Sequence, residues 1–390
     1  MYKSEEITTV HLEVTERCNA SCPQCARNIN GGEVNPLLHD AELSLADVKK
    51  ILRPKFIKQL KRLYMCGNYG DPISARDTLE IFEYIRSHNA KMQLSFHTNA
   101  SAKTPEWWSK LPQAMGDNHY VVFSVDGLED TNHLYRQGTV WKKIMENAEA
   151  FIAAGGRARW DYIVFGHNEH QVELARALSE RMGFEKFNVK KSNRFFSNTQ
   201  GAVKLAHQAG NRRGQETTLI SMPTNPEYQN TAIKQLEELS KDKGQVNINF
   251  MTTVAELEGK IGSQKFNLDS SKKKDMEKYW DSAEIKCKVS EEKSIYITAE
   301  GYLQPCCWTA GQMYVWYWKN RGGQIWRAIE QVGLDSLNVK IHSLESVIDG
   351  LFIQKIIPDS WNKSSCAEGK LAVCAKTCGA KYDAFTEQFK

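Results

Sequence analysis

The stretch TTVHLEVTERCNASCPQC, residues 8–25, decides how the rest of the chain is read. Val10, Leu12 and Val14 alternate on one face, the period-two pattern of a strand, and the strand runs straight into three cysteines. Cys18 therefore opens a loop. Cys18-x3-Cys22-x2-Cys25 places three thiolates within eight residues, enough to wrap one small inorganic cluster but one ligand short of the usual four cysteines. A [4Fe-4S] cluster held this way keeps one iron open for a ligand that is not protein. Structural zinc is the alternative, yet it prefers four ligands in paired C-x2-C knuckles; His11 lies back on the strand and His39 is fourteen residues beyond Cys25.

Outward from this start, strand and helix patterns alternate. Strands are predicted at 63–66, 93–97, 120–125 and 160–165, with a weaker one at 186–190. Helices are predicted at 79–88, briefly near Trp107, at 141–154 and at 171–182. Ser44 with Asp47 reads as a capping box opening a helix through Val48, Ile51 and Leu52 that Pro54 bends. Gly155-Gly156 and Gly183 read as helix stops. About six βα units with right-handed crossovers give an α/β chain, a partial (β/α)6 TIM-like barrel. From 198 to 284 the sequence turns polar and rich in Gln, Asn and Lys, with a helix predicted at 227–240 and a strand at 246–250; it reads as a linker or insertion. The alternating run 294–298, a turn at Glu300-Gly301 and a return at 302–304 predict a hairpin with cysteines on both sides.

Composition excludes other classes. The chain has 390 residues, 41% hydrophobic and 25% charged, which is ordinary for a globular protein. No run approaches the ~18 apolar residues of a membrane span. A net charge of +4 is too mild to demand nucleic acid or an anionic membrane. The opening MYKSEEITTV lacks an apolar signal core, so the ten cysteines are expected to be reduced thiols of a cytoplasmic protein rather than a disulfide framework.

Four segments carry a resemblance to the radical S-adenosylmethionine (SAM) enzymes. They are the Cys18, Cys22, Cys25 motif, CGNYGDP at 66–72, HTNAS at 97–101 and FSVDGLEDTNHLYRQG at 123–138. All begin at or near the end of a predicted strand, where barrel ligands gather. The resemblance implies a [4Fe-4S] cluster on the three cysteines whose open iron is chelated by SAM, reductive cleavage of SAM, and hydrogen abstraction from substrate by the resulting 5′-deoxyadenosyl radical. It implies SAM contacts from Gly67, Tyr69, Gly70 and Asp71, from Thr98 and Asn99, and from Ser124, Asp126 and Arg136. Departures are Tyr69 for Gly, Asp71 for Glu, Ala100 for Gly, and Gln24 where the family has an aromatic residue beside the adenine.

Farther on, Cys287-x13-Gly301-x4-Cys306 is similar to the opening of the twitch and SPASM auxiliary-cluster domains, and SLESVIDGLFIQKI, 343–356, to the helix between their two cysteine groups. Cys366, Cys374 and Cys378 would complete the ligands, with the choice among them open. Cys307 reads as a spare, pointing opposite to Cys306 on a strand, and Cys66 as an inert thiol. One auxiliary iron-sulfur cluster, a [4Fe-4S], is implied rather than two; zinc again is the alternative. The implied organisation is a radical SAM barrel over 1–197, a linker or insertion over 198–284, and a small hairpin and helix twitch (SPASM-like) domain over 285–390. The implied partners are a flavodoxin- or ferredoxin-like electron donor and a substrate that is a peptide or protein, or else a small molecule to be dehydrogenated. A zinc-stabilised binding protein without catalysis is the rival class, and the modest charge weighs against nucleic acid.

Overall fold

The computed structural model describes residues 1–192, 194–197, 202–203, 206–213, 215–230, 278, 280–315 and 323–380. Six strands, β1 (Thr9–Leu12), β2 (Arg62–Cys66), β3 (Gln93–Thr98), β4 (His119–Ser124), β5 (Ala158–Val164) and β6 (Lys186–Lys191), pair in sequence order and in parallel. Between them run α1 (Leu45–Ile51), α2 (Pro54–Gln59), α3 (Thr78–His88), α4 (Pro105–Met115), α5 (Asn132–Tyr135), α6 (Trp141–Ala153) and α7 (Val172–Met182). This is the partial TIM-like barrel that the alternation predicts.

The two faces of the sheet differ in kind. Leu63, Met65, Leu94, Phe96, Val121, Phe123 and Trp160 are fully buried beneath the helices. Phe96 lies 5.8 Å from Phe82 of α3, and Trp108 of α4 lies 5.3 Å from Phe123. Since side chains alternate along a strand, the opposite face carries Glu13, which follows β1 directly, with Cys66, His97, Ser124, Asp161 and Lys190. A closed TIM barrel fills its interior with branched apolar side chains. This interior is polar.

Sequence signals account for the helix ends. Ser44 Oγ accepts the Asp47 N–H at 3.1 Å while the Ser44 N–H donates to Asp47 Oδ2 at 3.0 Å, the expected capping box. Pro54 does not bend this helix. It stands at the first position of a separate helix, α2, where its missing N–H costs nothing. The brief helix near Trp107 extends to eleven residues. Gly183 closes α7 with φ +85°, the left-handed cap that glycine favours.

The polar region after the barrel holds structure that its composition hid. Phe196–Ser197 (β7) and Ala202–Val203 (β8) form a two-residue ladder, and Ala206–Gly210 (β9) pairs antiparallel with Glu216–Ser221 (β10). Of the helix predicted at 227–240, Pro226–Tyr228 is a single 3-10 turn; the remainder beyond Asn230, and the strand at 246–250, lie outside the described residues.

The predicted C-terminal hairpin forms from Ser294–Ile297 (β11) and Leu303–Gln304 (β12). It does not make a sheet of its own. β11 pairs in parallel with β1, Thr9 opposite Ser294 through Leu12 opposite Ile297, so the sheet has eight strands in the order β12-β11-β1-β2-β3-β4-β5-β6. The helix predicted at 343–356 is broken into Leu344–Ile348 and a wide π turn at Phe352–Ile356, followed by Ile357–Trp361. No helix among the described residues is long and apolar enough to cross a membrane.

Candidate functional site

The loop after β1 brings its three thiols to one place at the carboxyl ends of the strands. Cys22 is buried among Ala20, Tyr135, Phe165, Ile220 and Met222, with Cys18 and Cys25 packed against the same cluster. The Cys25 N–H donates to the Cys22 carbonyl at 3.0 Å, closing a tight turn between the two cysteines. Burial raises the Cys18 thiol, and Asp71, Cys22 and Cys25 raise it further. Cys22 is pushed up to about 11, chiefly by burial, with the Arg136 guanidinium opposing and Cys25 adding to it. Thiols gathered in one buried loop, with Cys18 and Cys22 held protonated by burial, suit a cation, because a metal ligand must shed its proton.

Around them stand most of the residues singled out by sequence. Asn99 Nδ2 reaches Cys18 Sγ at 3.6 Å, Asn19 Oδ1 at 2.9 Å and Asp71 Oδ2 at 2.7 Å. Asp71 also accepts the N–H groups of Asn99 and Ile73; burial pushes it up to about 6 against these bonds and one from Thr98. Thr98 Oγ1 accepts the Ala100 N–H at 2.9 Å and so braces the loop. Arg136 Nη1 lies 3.8 Å from Cys22 Sγ, and its Nε donates to Asp126 Oδ2 at 2.6 Å. Asp126 has no exposed surface, and its other oxygen accepts the Ile163 N–H at 2.6 Å. Its carboxylate is thus engaged on both oxygens, one anchored to the β5 backbone and the other aiming Arg136. Burial works against the Arg136 charge, but Asp126 and Cys22 outweigh it and hold the guanidinium protonated. Ser124 ends β4, half-buried on the inner face.

The CGNYGDP turn is a close-approach device. A Cβ on Gly67 would stand 1.6 Å from the Gly70 carbonyl oxygen, and one on Gly70 would stand 1.8 Å from that of Thr15. Only glycine lets the turn lie against the cysteine loop. The N–H groups of Tyr69 and Gly70 both donate to Glu13 Oε1, at 2.7 and 3.2 Å. The Tyr69 ring leaves the mouth to pack 4.8 Å from Tyr314. Glu13 was missed in the sequence; the available signal was an acidic residue on the inner side of an apolar-alternating strand. Its other oxygen accepts from the Tyr296 hydroxyl of β11. The interior charges were missed as well: Asp161 accepts from Asn188 Nδ2 at 2.8 Å and Lys190 Nζ at 3.1 Å, facing His97.

Gln24 is nine-tenths buried beside Cys25. Its Oε1 accepts from Ser192 at 2.9 Å, while its Nε2 has no partner among the described residues. A buried orphan donor costs about 1–3 kcal/mol unless something accepts from it.

A second group of thiols forms at the other end of the chain. Cys287 precedes the helix Lys288–Glu291, Cys306 precedes the helix Cys307–Gly311, and Cys374 and Cys378 lie one turn apart on Ala372–Cys378. Cys287 is raised first by its hydrogen bond to Cys378 and then by burial, with Cys306 adding; Cys378 is lowered to about 6 by that same bond. Burial raises Cys374, and Cys306 and Cys378 raise it further. Cys366 lies on the turn before that helix, its N–H donating to Asp281 Oδ1 at 2.6 Å. Cys306 and Cys307 stand at a helix start rather than on a strand, so strand alternation does not separate them; burial raises the Cys307 thiol, and Cys306, Cys66 and Glu13 raise it further. Among the described residues no three His, Cys, Asp or Glu side chains close up as a single-ion cage.

Comparison with known proteins bears on the fold and on the barrel span. Residues 12–180 match the model of the Radical SAM superfamily. The matched span runs from the end of β1 into α7 and so contains all four motifs of the mouth. The fold is similar to that of Streptococcus suis SuiB bound to precursor peptide SuiA, at 14% identity and a TM-score of 0.51, covering 98% of this chain and 77% of that one. It is also similar to native anSMEcpe with bound AdoMet, at 13% identity and a TM-score of 0.50, covering 98% of this chain and 96% of that one.

Proposed function

We propose that this protein is a radical SAM enzyme that modifies a peptide or protein. The observation that carries the reading is the juxtaposition of Cys18, Cys22 and Cys25 with Asn99 and with the Asp126-aimed Arg136 at one barrel mouth. The residues fit a [4Fe-4S] cluster with SAM on its open iron: one loop offers three thiols rather than four, and Gln24 leaves a buried donor for a ligand to satisfy. When bound, that pair supplies the low-potential electron and the sulfonium whose cleavage starts hydrogen abstraction.

The chain's own part is to hold and to screen. Arg136 offsets the negative charge gathered on Cys22, and Asn99 offers an N–H to Cys18. Asp71 fixes Asn99, Asp126 fixes Arg136, and the Gly67 and Gly70 turn keeps the loop pressed to the sheet. The polar barrel interior suits a substrate with hydrogen-bonding groups. Peptide comes before small molecule because SuiB, of similar fold, has been seen with its precursor peptide. Cys287, Cys306, Cys374 and Cys378 are the four ligands of one auxiliary cluster, which leaves Cys366 out of the set. The chemistry asks for a reducing compartment such as the cytoplasm and a flavodoxin- or ferredoxin-like donor.

The test is anaerobic reconstitution with iron and sulfide, then dithionite and SAM, with 5′-deoxyadenosine read by chromatography. Visible absorbance with roughly eight irons per chain and release of 5′-deoxyadenosine is the expected result. A colourless protein holding only zinc would reject the reading.

A further inference from the structure

We propose that Arg212, in the turn between β9 and β10, and Arg194 are positioning residues that strap the three-cysteine loop from outside and ease reduction of the cluster it holds. The proposal rests on the reading of Cys18, Cys22 and Cys25 as cluster ligands. Arg212 Nη2 donates to the carbonyls of both Cys18 and Ala20, at 2.8 and 3.1 Å. Arg194 Nη1 donates to the carbonyl of Gln24. Two cations that follow the barrel in sequence thus grip both ends of the loop by its backbone.

The hairpin carrying Arg212 is seated and not merely nearby. Ala209 and Ile220 are buried in the same apolar cluster as Ala20 and Cys22. The Gly210 N–H donates to the Asn30 carbonyl at 2.8 Å, and a Cβ on Gly31, at φ +85°, would stand 2.6 Å from the Gly210 oxygen. Gln137 Nε2 donates to Thr217 at 3.0 Å, and the Gln137 carbonyl accepts the Ser21 N–H at 2.8 Å, tying hairpin, α5 loop and cysteine loop together. A guanidinium fixed against this loop acts in two ways. It removes backbone freedom that would let a thiolate leave, and its charge favours the reduced, more negative cluster. Arg213, the next residue and likewise exposed, keeps to the hairpin turn, where its N–H donates to Asn211 Oδ1 at 2.9 Å.

The experiment compares full-length reconstituted wild type with R212Q, R212K, R194Q and R213Q. The N-terminal cluster signal is identified as the one lost in C22A. Two quantities are measured: its reduction potential, by redox titration followed with electron paramagnetic resonance, and iron release to a chelator without oxygen. In R212Q the potential moves negative and release quickens roughly tenfold, as expected for losing a charge-assisted bond. R212K keeps the potential but not the slow release, because lysine supplies the charge without the fork. R194Q follows R212Q in direction, giving an independent variant should R212Q fail to fold, and R213Q matches wild type. Unchanged potential and release in both R212Q and R194Q would overturn the strap. Absence of iron from the three cysteines in wild type would instead overturn the underlying reading.

Discussion

The two cysteine groups are assembled by opposite means. Cys18, Cys22 and Cys25 come from eight consecutive residues, and the rest of the barrel mouth supplies their neighbours: Asn99 after β3, Arg136 after β4, and Arg194 and Arg212 from beyond β6. Cys287, Cys306, Cys374 and Cys378 come from three separate places, and tertiary folding alone brings them together. A local loop can present three ligands and leave a corner free. A site gathered from distant segments can close on all sides. On the proposed reading the first group therefore does chemistry at its open corner, while the second holds its cluster with a full set.

The largest effect separates the two groups. Cys22→Ala is expected to abolish 5′-deoxyadenosine formation while iron falls from roughly eight to roughly four atoms per chain. Loss of all iron would mean that the two sites are not independent. Next comes the choice within the second group. Cys374→Ser is expected to lose about half the iron and Cys366→Ser none, with SAM cleavage at the first cluster retained in both. Equal loss in the two variants, by iron assay and visible spectrum, would break the four-ligand assignment.

How much of this was legible depended on range. The six barrel strands could be read because each carries its own apolar outer face, and the triplet Cys18, Cys22, Cys25 because its spacing is local. The parallel pairing of β11 with β1 joins Thr9 to Ser294 and leaves no mark in either segment. For the same reason nothing near Cys374 or Cys366 told which joins Cys287, since that depends on how the helix Ala372–Cys378 docks. The β9 and β10 hairpin was hidden by polar composition: its seating rests on a few residues, Ala209, Ile220 and Arg212, rather than on an apolar stripe. Glu13 was overlooked because reading the strand by its outer face discards whatever points inward.

Packing at the mouth gives the next effect. Gly67→Ala places a methyl 1.6 Å from the backbone oxygen of Gly70, which cannot yield as a flexible side chain would. A loss of about 3 kcal/mol is expected, read as a lowered urea midpoint. An unchanged midpoint would show that the turn itself can open between Gly67 and Gly70.

Glu13 is where the two halves meet, since one oxygen holds the Tyr69 and Gly70 turn and the other the Tyr296 hydroxyl of β11. Burial raises its carboxyl from 4.5 to about 7, against those hydrogen bonds. The fold therefore keeps a proton that the unfolded chain has already released. Its contribution to stability is fully present below about pH 4.5 and is lost as pH rises through about 7. The slope between those limits is at most about 1.4 kcal/mol per pH unit. Glu13→Gln imitates the protonated form, with an oxygen for the two N–H groups and an amide to donate to Tyr296. Urea midpoints of variant and wild type should coincide below about pH 4.5 and diverge toward pH 8, the variant becoming the more stable. Parallel curves would mean that Glu13 reaches water and ionises freely, so that the joint between the barrel mouth and the C-terminal hairpin is wetter than its packing implies.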